Sequence, residues 1–312
     1  LILRVTGTGT RRVLLVGHLD TVIPHDRHRP LQRDGDKLLG SGTVDMKGGV
    51  VLALGVLRAL AAPERRASFA EAALLLVHDE EWRIGRFRHV DRFAGFDACL
   101  CFEAGQLTAE GGDAVVVKRK AAGTLRVLAH GRSAHSGSAP DQGRNALLAL
   151  AAVSQSVAAL HDPKGPLRLT SVPTILRSGD AFNVVPAAGE LFCDLRADSE
   201  AAFDPVLGAI PAELDGVTLE PALLRLWPGM DARESSAGLL AAAGGRLGRS
   251  ITGMDRGGAS DASHFASTIP MTVDGLGPRG GGAHAPNEFV LETSLRSRAE
   301  VALALVDAAL HD

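Results

Sequence analysis

Seven side chains in this sequence have the types and spacing to act on a polar bond, and most of them close short apolar runs. His18 and Asp20 (HLD) lie two apart, so on a strand both leave on one side, where a carboxylate can fix the imidazole tautomer and raise its basicity. Asp45 stands in a Gly-flanked turn (GSGTVDMKGG) ahead of a helix, as either an N-cap or a ligand. Glu80 and Glu81 close a strand (LLLVHDEE); a turn there lets one bind metal while the other holds water, although two surface acids read the same way. Glu103 ends another strand (DACLCFE), and His284 follows four small residues (GGGAH), in a tight site or in a surface loop. Taken together, His18, Asp45, Glu81, Glu103 and His284 supply nitrogen and oxygen ligands for a pair of zinc ions, one carboxylate bridging, with Glu80 spare. The expected chemistry is attack of a hydroxide shared by both ions on a carbonyl, with Glu80 carrying the proton to the leaving amine.

The elements that must position these groups follow from hydrophobic patterning. Residues 11–18, 72–78 and 97–103 are aliphatic, β-branched runs expected as buried strands of an α/β sheet, which places chemistry at strand ends. Residues 49–60 read as a helix with Val50, Leu54 and Leu57 on one face. Beyond Val115 the order becomes strand 124–130, helix 145–160, strands 169–176 and 190–196, a weaker helix 199–214 broken by Pro205 and Pro211, and strand 217–226. This βαββαβ order matches a ferredoxin-like sandwich inserted into a larger domain. A helix over 235–247, a strand over 271–276 and a closing amphipathic helix over 292–310 follow. The expected division is 1–114 and 228–312 for the larger domain, with 115–227 as the insert.

With 312 residues, 46% hydrophobic and 22% charged, the chain can bury one large or two moderate cores and is not disordered. A net charge of −3 without basic runs argues against nucleic acid or anionic membrane as partner. No apolar run reaches the roughly 18 residues that span a bilayer. Cys99, Cys101 and Cys193 lack zinc-finger spacing and read as reduced core thiols, which points to the cytoplasm. The chain starts at Leu1 and runs directly into strand-like sequence, so a targeting segment or opening helix is expected ahead of it.

HLDTV, GSGTVDMKGG, DEE, FEAG, GRSAHSGSAPDQGRNA, NVVP, DLR, GGASDAS and HAPNEF, in this order, resemble the dinuclear zinc exopeptidase and deacylase family. That family includes carboxypeptidase G-type glutamate carboxypeptidases, acetylornithine deacetylase and succinyl-diaminopimelate desuccinylase. The resemblance implies an α/β zinc-peptidase domain with a ferredoxin-like lid that forms a homodimer, two Zn2+ (Co2+ as substitute), and an N-acyl amino acid or short peptide as substrate. It makes His18 a ligand of one ion, Asp45 the bridging carboxylate, Glu81 and Glu103 terminal ligands, His284 the second imidazole, Asp20 the acid orienting His18, and Glu80 the general base. His135 matches a histidine that reaches a partner subunit's site and polarises the scissile carbonyl. Arg196 and Asn183 match positions holding the substrate carboxylate or a transition-state oxygen, and Gly257, Gly258 and Ser260 the loop lining that pocket.

Three departures qualify these expectations. Only seventeen residues precede HLDTV, where the family has a helix and a first strand, so part of the sheet edge or its cover is expected to be missing. Trp82 stands where a small residue is usual and is expected to reshape the pocket wall. No lysine follows Glu103 (AGQLTA), which turns the expectation away from glutamate as the released residue. The alternatives are an aminopeptidase or dipeptidase, marked by an acid in the pocket, and a non-catalytic binding protein that keeps the fold.

Overall fold

Apolar runs without charge need a sheet covered on both faces. In the computed structural model, which describes residues 1–311, three of them lie side by side. Arg12–His18, Glu71–Val77 and Ala98–Cys101 are the parallel centre of a five-stranded sheet, extended by Met271–Val273 at one edge. Ile2–Thr6 pairs antiparallel with Glu71–Val77 at the other edge, so the few residues ahead of HLDTV do supply an edge strand. Alternation sorts the central strands between two cores. Val13 and Leu15 pack with helices Gly48–Leu60, Ala237–Leu247 and Glu292–His311; Leu14 and Val16 pack with Phe87, Phe93, Phe96 and Phe265. Cys99 and Cys101 belong to the second of these cores, and all three cysteines are free and buried.

The closing helix departs from simple amphipathicity. Arg298 lies on its buried side with no exposure and donates to three carbonyls, of Gly277 (3.2 Å), Ala114 (3.0 Å) and Gly275 (2.5 Å). A buried guanidinium is tolerated because its donors are met by acceptors. Strand Ile251–Arg256, not expected from patterning, pairs in parallel with Asp113–Arg119. The boundary expected at 114/115 lies within strand Asp113–Arg119, and the next strand starts at Ala121.

A second unit runs strand Ala121–His130, helix Ala146–Ala159, strands Thr170–Ser178 and Ala188–Ala197, short helix Asp204–Gly208, and strand Val217–Trp227. Across its sheet the order is Thr170–Ser178, Ala188–Ala197, Ala121–His130, Val217–Trp227 and the short edge strand Glu213–Leu214, each neighbouring pair antiparallel. The helix expected over 199–214 shortens to a 3-10 turn and Asp204–Gly208, because Pro205 suits only a first turn and Pro211 cannot donate beyond it. Leu125, Val127, Leu150, Val153, Leu191 and Phe203 give this unit a core of its own on one face of the sheet, joined by Cys193. The face carrying Thr124, Asp194, Arg196 and Arg225 is turned to the larger unit, where it lines a cavity. Among the described residues no helix is long and apolar enough to cross a membrane.

Candidate active site

Strand ends deliver the first groups. His18 closes Arg12–His18, almost fully buried; the Asp79–Glu81 turn follows Glu71–Val77, and Glu103 follows Ala98–Cys101. Asp45 is not an N-cap: its backbone is extended (φ −124°, ψ 90°) in the kinked segment Thr43–Lys47 ahead of helix Gly48–Leu60. That segment is fixed by the buried carboxylate of Glu288, which accepts from the backbone N–H of Gly42 (2.7 Å), Val44 (3.0 Å) and Asp45 (3.0 Å). Glu288 closes the loop that also carries His284, at φ +64°.

The arrangement centres on Asp45. Its Oδ1 lies 3.1 Å from His18 Nε2 and its Oδ2 lies 3.1 Å from His284 Nε2. Glu103 Oε1 is 3.8 Å from His18 Nε2, and Glu81 Oε1 is 3.0 Å from His284 Nε2. Three groups with donor atoms within 4.8 Å of one another result: His18–Asp45–Glu103 and Asp45–Glu81–His284, which share the Asp45 carboxylate, and His18–Glu80–Glu81. Asp20 supports both histidine and turn: His18 Nδ1 lies 3.0 Å from its backbone oxygen and 3.5 Å from its carboxylate, while that carboxylate accepts from the N–H of Glu80 (3.1 Å) and Glu81 (2.8 Å).

Electrostatics test whether cations fit here. Burial pushes Glu103 well above the usual carboxylate range, pushes Glu81 up with help from Asp45, and with Asp261 pushes Glu80 up to about 8. Burial also opposes charge on His18, yet Asp20, Asp45 and Glu103 outweigh it and raise the imidazole to about 12. His284 is raised to about 9 chiefly by its bond to Asp45. Burial works against ionisation of Asp45, and the two imidazoles overcome it and lower its carboxyl. Carboxylates crowded this closely favour positive charge beside them, which is why both imidazoles are pushed up. Divalent cations accepting neutral imidazole and carboxylate oxygen fit the same donor set.

Beside the cluster is a cavity of about 300 Å³, lined by Glu80, Glu81 and His284, by Gly258 and Ala259, and by Thr124, Asp194, Arg196, Arg225 and Trp227 from the second sheet. A larger, more apolar cavity of about 460 Å³ behind the Asp45 segment, lined by Leu31, Leu38, Val51 and Leu295 among others, contains no carboxylate and lacks the clustered donors. Arg196 faces the polar cavity already paired with Asp194, at 3.0 Å from both Nε and Nη2.

Several expected groups lie elsewhere. His135 and Asn183 do not line this cavity; they meet on neighbouring exposed loops, where Ser136 N–H donates to the Asn183 carbonyl at 3.0 Å. Ser260 does not line it either. The fully buried Asp274 carboxylate draws Ser260 Oγ to 2.5 Å and Arg119 Nε to 2.6 Å, leaving only Gly258 and Ala259 of that loop at the wall. Trp82 does not reshape the wall, because its indole is 62% exposed and donates to the Thr21 carbonyl at 2.9 Å. The next residue, Arg83, turns inward to Asp261 instead, at 2.6 and 3.0 Å. Sequence reading passed over Arg83, Asp261, Arg225, Trp227 and Glu288. Asp261 and Glu288 lie inside recognised motifs (GGASDAS, HAPNEF), and that was the available signal.

The family profile described as Peptidase family M20/M25/M40 matches residues 14–308. The carboxypeptidase G2 of Pseudomonas sp. strain RS-16 is 26% identical, over 97% of this chain and 75% of that protein. The succinyl-diaminopimelate desuccinylase of Xylella fastidiosa is 28% identical, over 98% and 85%. An M20 family metallo-carboxypeptidase of Sulfolobus solfataricus superimposes with a TM-score of 0.75 at 15% identity, covering 99% of this chain and 87% of that one. Aminopeptidase PepT of Bacillus cereus superimposes with a TM-score of 0.75 at 18% identity, covering 99% and 84%; at such identities the likeness is one of fold.

Proposed function

Because the chain belongs to peptidase family M20/M25/M40, and is a metallopeptidase or amidohydrolase, we propose that it hydrolyses an amide bond next to a free carboxylate, as a carboxypeptidase or N-acyl-amino-acid deacylase with two zinc ions. Membership sets aside the non-catalytic alternative. The observation that carries the reading is Asp45, whose two oxygens face two histidines and so suit it to bridge. His18, Asp45 and Glu103 would hold one ion, and Asp45, Glu81 and His284 the other, with cobalt as a substitute. When bound, the ions supply Lewis-acid polarisation of the carbonyl and lower the pKa of water to near neutrality.

The protein's own residues do the rest. Glu80 also falls in the His18–Glu80–Glu81 group, but with both ions on the groups that share Asp45 it is the carboxylate at the cavity wall left to take a proton from water and pass it to the leaving nitrogen. Asp20 holds the Glu80 peptide and the His18 ring in place. Arg196 offers a guanidinium to the substrate carboxylate, with Gly258 on the wall of the same cavity. We read the second sheet with its helices as the ferredoxin-like lid and as the dimer element. In that reading His135 and Asn183, exposed and away from the cavity of their own chain, contribute to the site of a second copy and steady the carbonyl oxygen. Free, buried cysteines suit a reducing compartment such as the cytoplasm.

A second reading has its own observation: Asp194 places an acid in the cavity, as a free amine would require. A panel of N-acetyl, N-succinyl and N-formyl amino acids, acyl glutamates and dipeptides, tried with zinc- or cobalt-loaded protein and a chelator control, decides between them. Chelator-sensitive cleavage confined to substrates with a free carboxylate supports the first reading. Cleavage that needs a free amine supports the second, and silence with two ions bound overturns both.

A further inference from the structure

The peptides of the Glu80–Glu81 turn are held from two sides. Their N–H groups donate to Asp20 of the larger unit. Their carbonyls accept from the second sheet: Arg225 Nη2 reaches the Glu81 oxygen at 3.0 Å and the Glu80 oxygen at 3.4 Å. The Arg225 guanidinium stacks 4.7 Å from the ring centre of Trp227, the last residue of the same strand. From the other unit comes Arg83, two residues beyond Glu81, with its guanidinium 5.6 Å from that indole and 4.8 Å from the Phe87 ring. Arg83 is in turn fixed by the bidentate pair with the buried Asp261. The Trp227 indole, 5% exposed, has no hydrogen-bond partner for its N–H among the described residues, so it is held through its faces.

We infer that Arg225, Trp227 and Arg83 form a clasp between the two units, and that Arg225 is a positioning residue that sets the backbone of the Glu80–Glu81 turn only while the second sheet is seated against it. Arg83 reaches the indole from the larger unit and Arg225 from the indole's own strand, so when the units part the indole loses Arg83, and Arg225 loses the Glu80 and Glu81 carbonyls. The geometry of the general base is thereby coupled to the position of the second sheet. This inference rests on the hydrolytic reading above, and the test separates the two.

Arg225→Ala and Arg225→Lys are compared with the parent in metal content, in kcat and KM on the substrate found by the panel, and, in a Trp82→Phe background, in Trp227 fluorescence and its acrylamide quenching. The clasp predicts two ions retained, kcat lower by about 10²-fold in Arg225→Ala with little change in KM, as for a reacting group displaced by about an ångström. It also predicts partial recovery in Arg225→Lys, and easier quenching of Trp227 in Arg225→Ala. A raised KM with unchanged kcat would make Arg225 a substrate contact and overturn the inference; lost metal, or unaltered Trp227 quenching, would overturn it too. If the parent protein hydrolyses nothing, the functional reading fails while the fluorescence comparison still decides whether the clasp exists.

Discussion

The two large sheets put their chemistry in different places. The five-stranded sheet is buried on both faces and has only its strand ends to offer, so His18, Glu80, Glu81 and Glu103 appear where parallel strands stop. The second sheet packs its helices on one face and leaves the other for side chains along the strands, where Thr124, Asp194, Arg196 and Arg225 line the cavity. Strand ends gather groups from distant parts of the chain into a tight cluster; a strand face spreads them at two-residue spacing over a wall. The first arrangement suits ions and proton transfer, the second suits recognition of an extended substrate.

The sharpest way to break this division is at the strand ends. Glu80→Gln should lower turnover by about 10² to 10⁴-fold, the range of a lost general base, with two metal ions still bound by elemental analysis; unchanged turnover would return chemistry to the sheet face. Next comes the second unit. His135→Ala should cost about 10²-fold in kcat if it steadies a carbonyl oxygen, and mixing it with Glu80→Gln protein should restore activity, since one hybrid cleft has both groups. No restoration, or a monomer by light scattering, would remove His135 from the site. The separate cores predict separate losses of stability: Leu191→Ala should destabilise by about 2–5 kcal/mol without lowering metal affinity, whereas Leu14→Ala, on the strand that ends in His18, should lower both, as followed by denaturant melts and metal titration. The smallest effect is expected at Ser260→Ala, about 1 kcal/mol with kcat and KM unaltered, because its hydroxyl serves Asp274 and not the cavity.

What could be read from the sequence divides along the same line. Parallel strands that end in charge are legible, and HLD, DEE and FE mark His18, Glu81 and Glu103, whereas Asp45 and His284 are marked only by the Gly-rich segments around them. The 199–214 helix was overextended because its periodicity continues past residues that cannot propagate a helix. Strand Ile251–Arg256 escaped notice since its Gly253 and three charged or polar positions blur alternation; its pairing with Asp113–Arg119 is a tertiary choice. Ser260 was assigned to the pocket by its neighbours in the motif, and which way a hydroxyl turns depends on a buried acid fourteen residues later. Trp82 drew attention by size while Arg83, the residue that turns inward, carried no local signal.

The contact between Glu288 and the backbone of Gly42, Val44 and Asp45 joins positions separated by 243 to 246 residues. During synthesis, the segment that presents the shared aspartate has to wait for more than 240 further residues before its peptide N–H groups find that acceptor. Closing such a distant contact is entropically slow. The Asp45 segment should therefore be among the last features to mature, its geometry set only once Glu288 has been made.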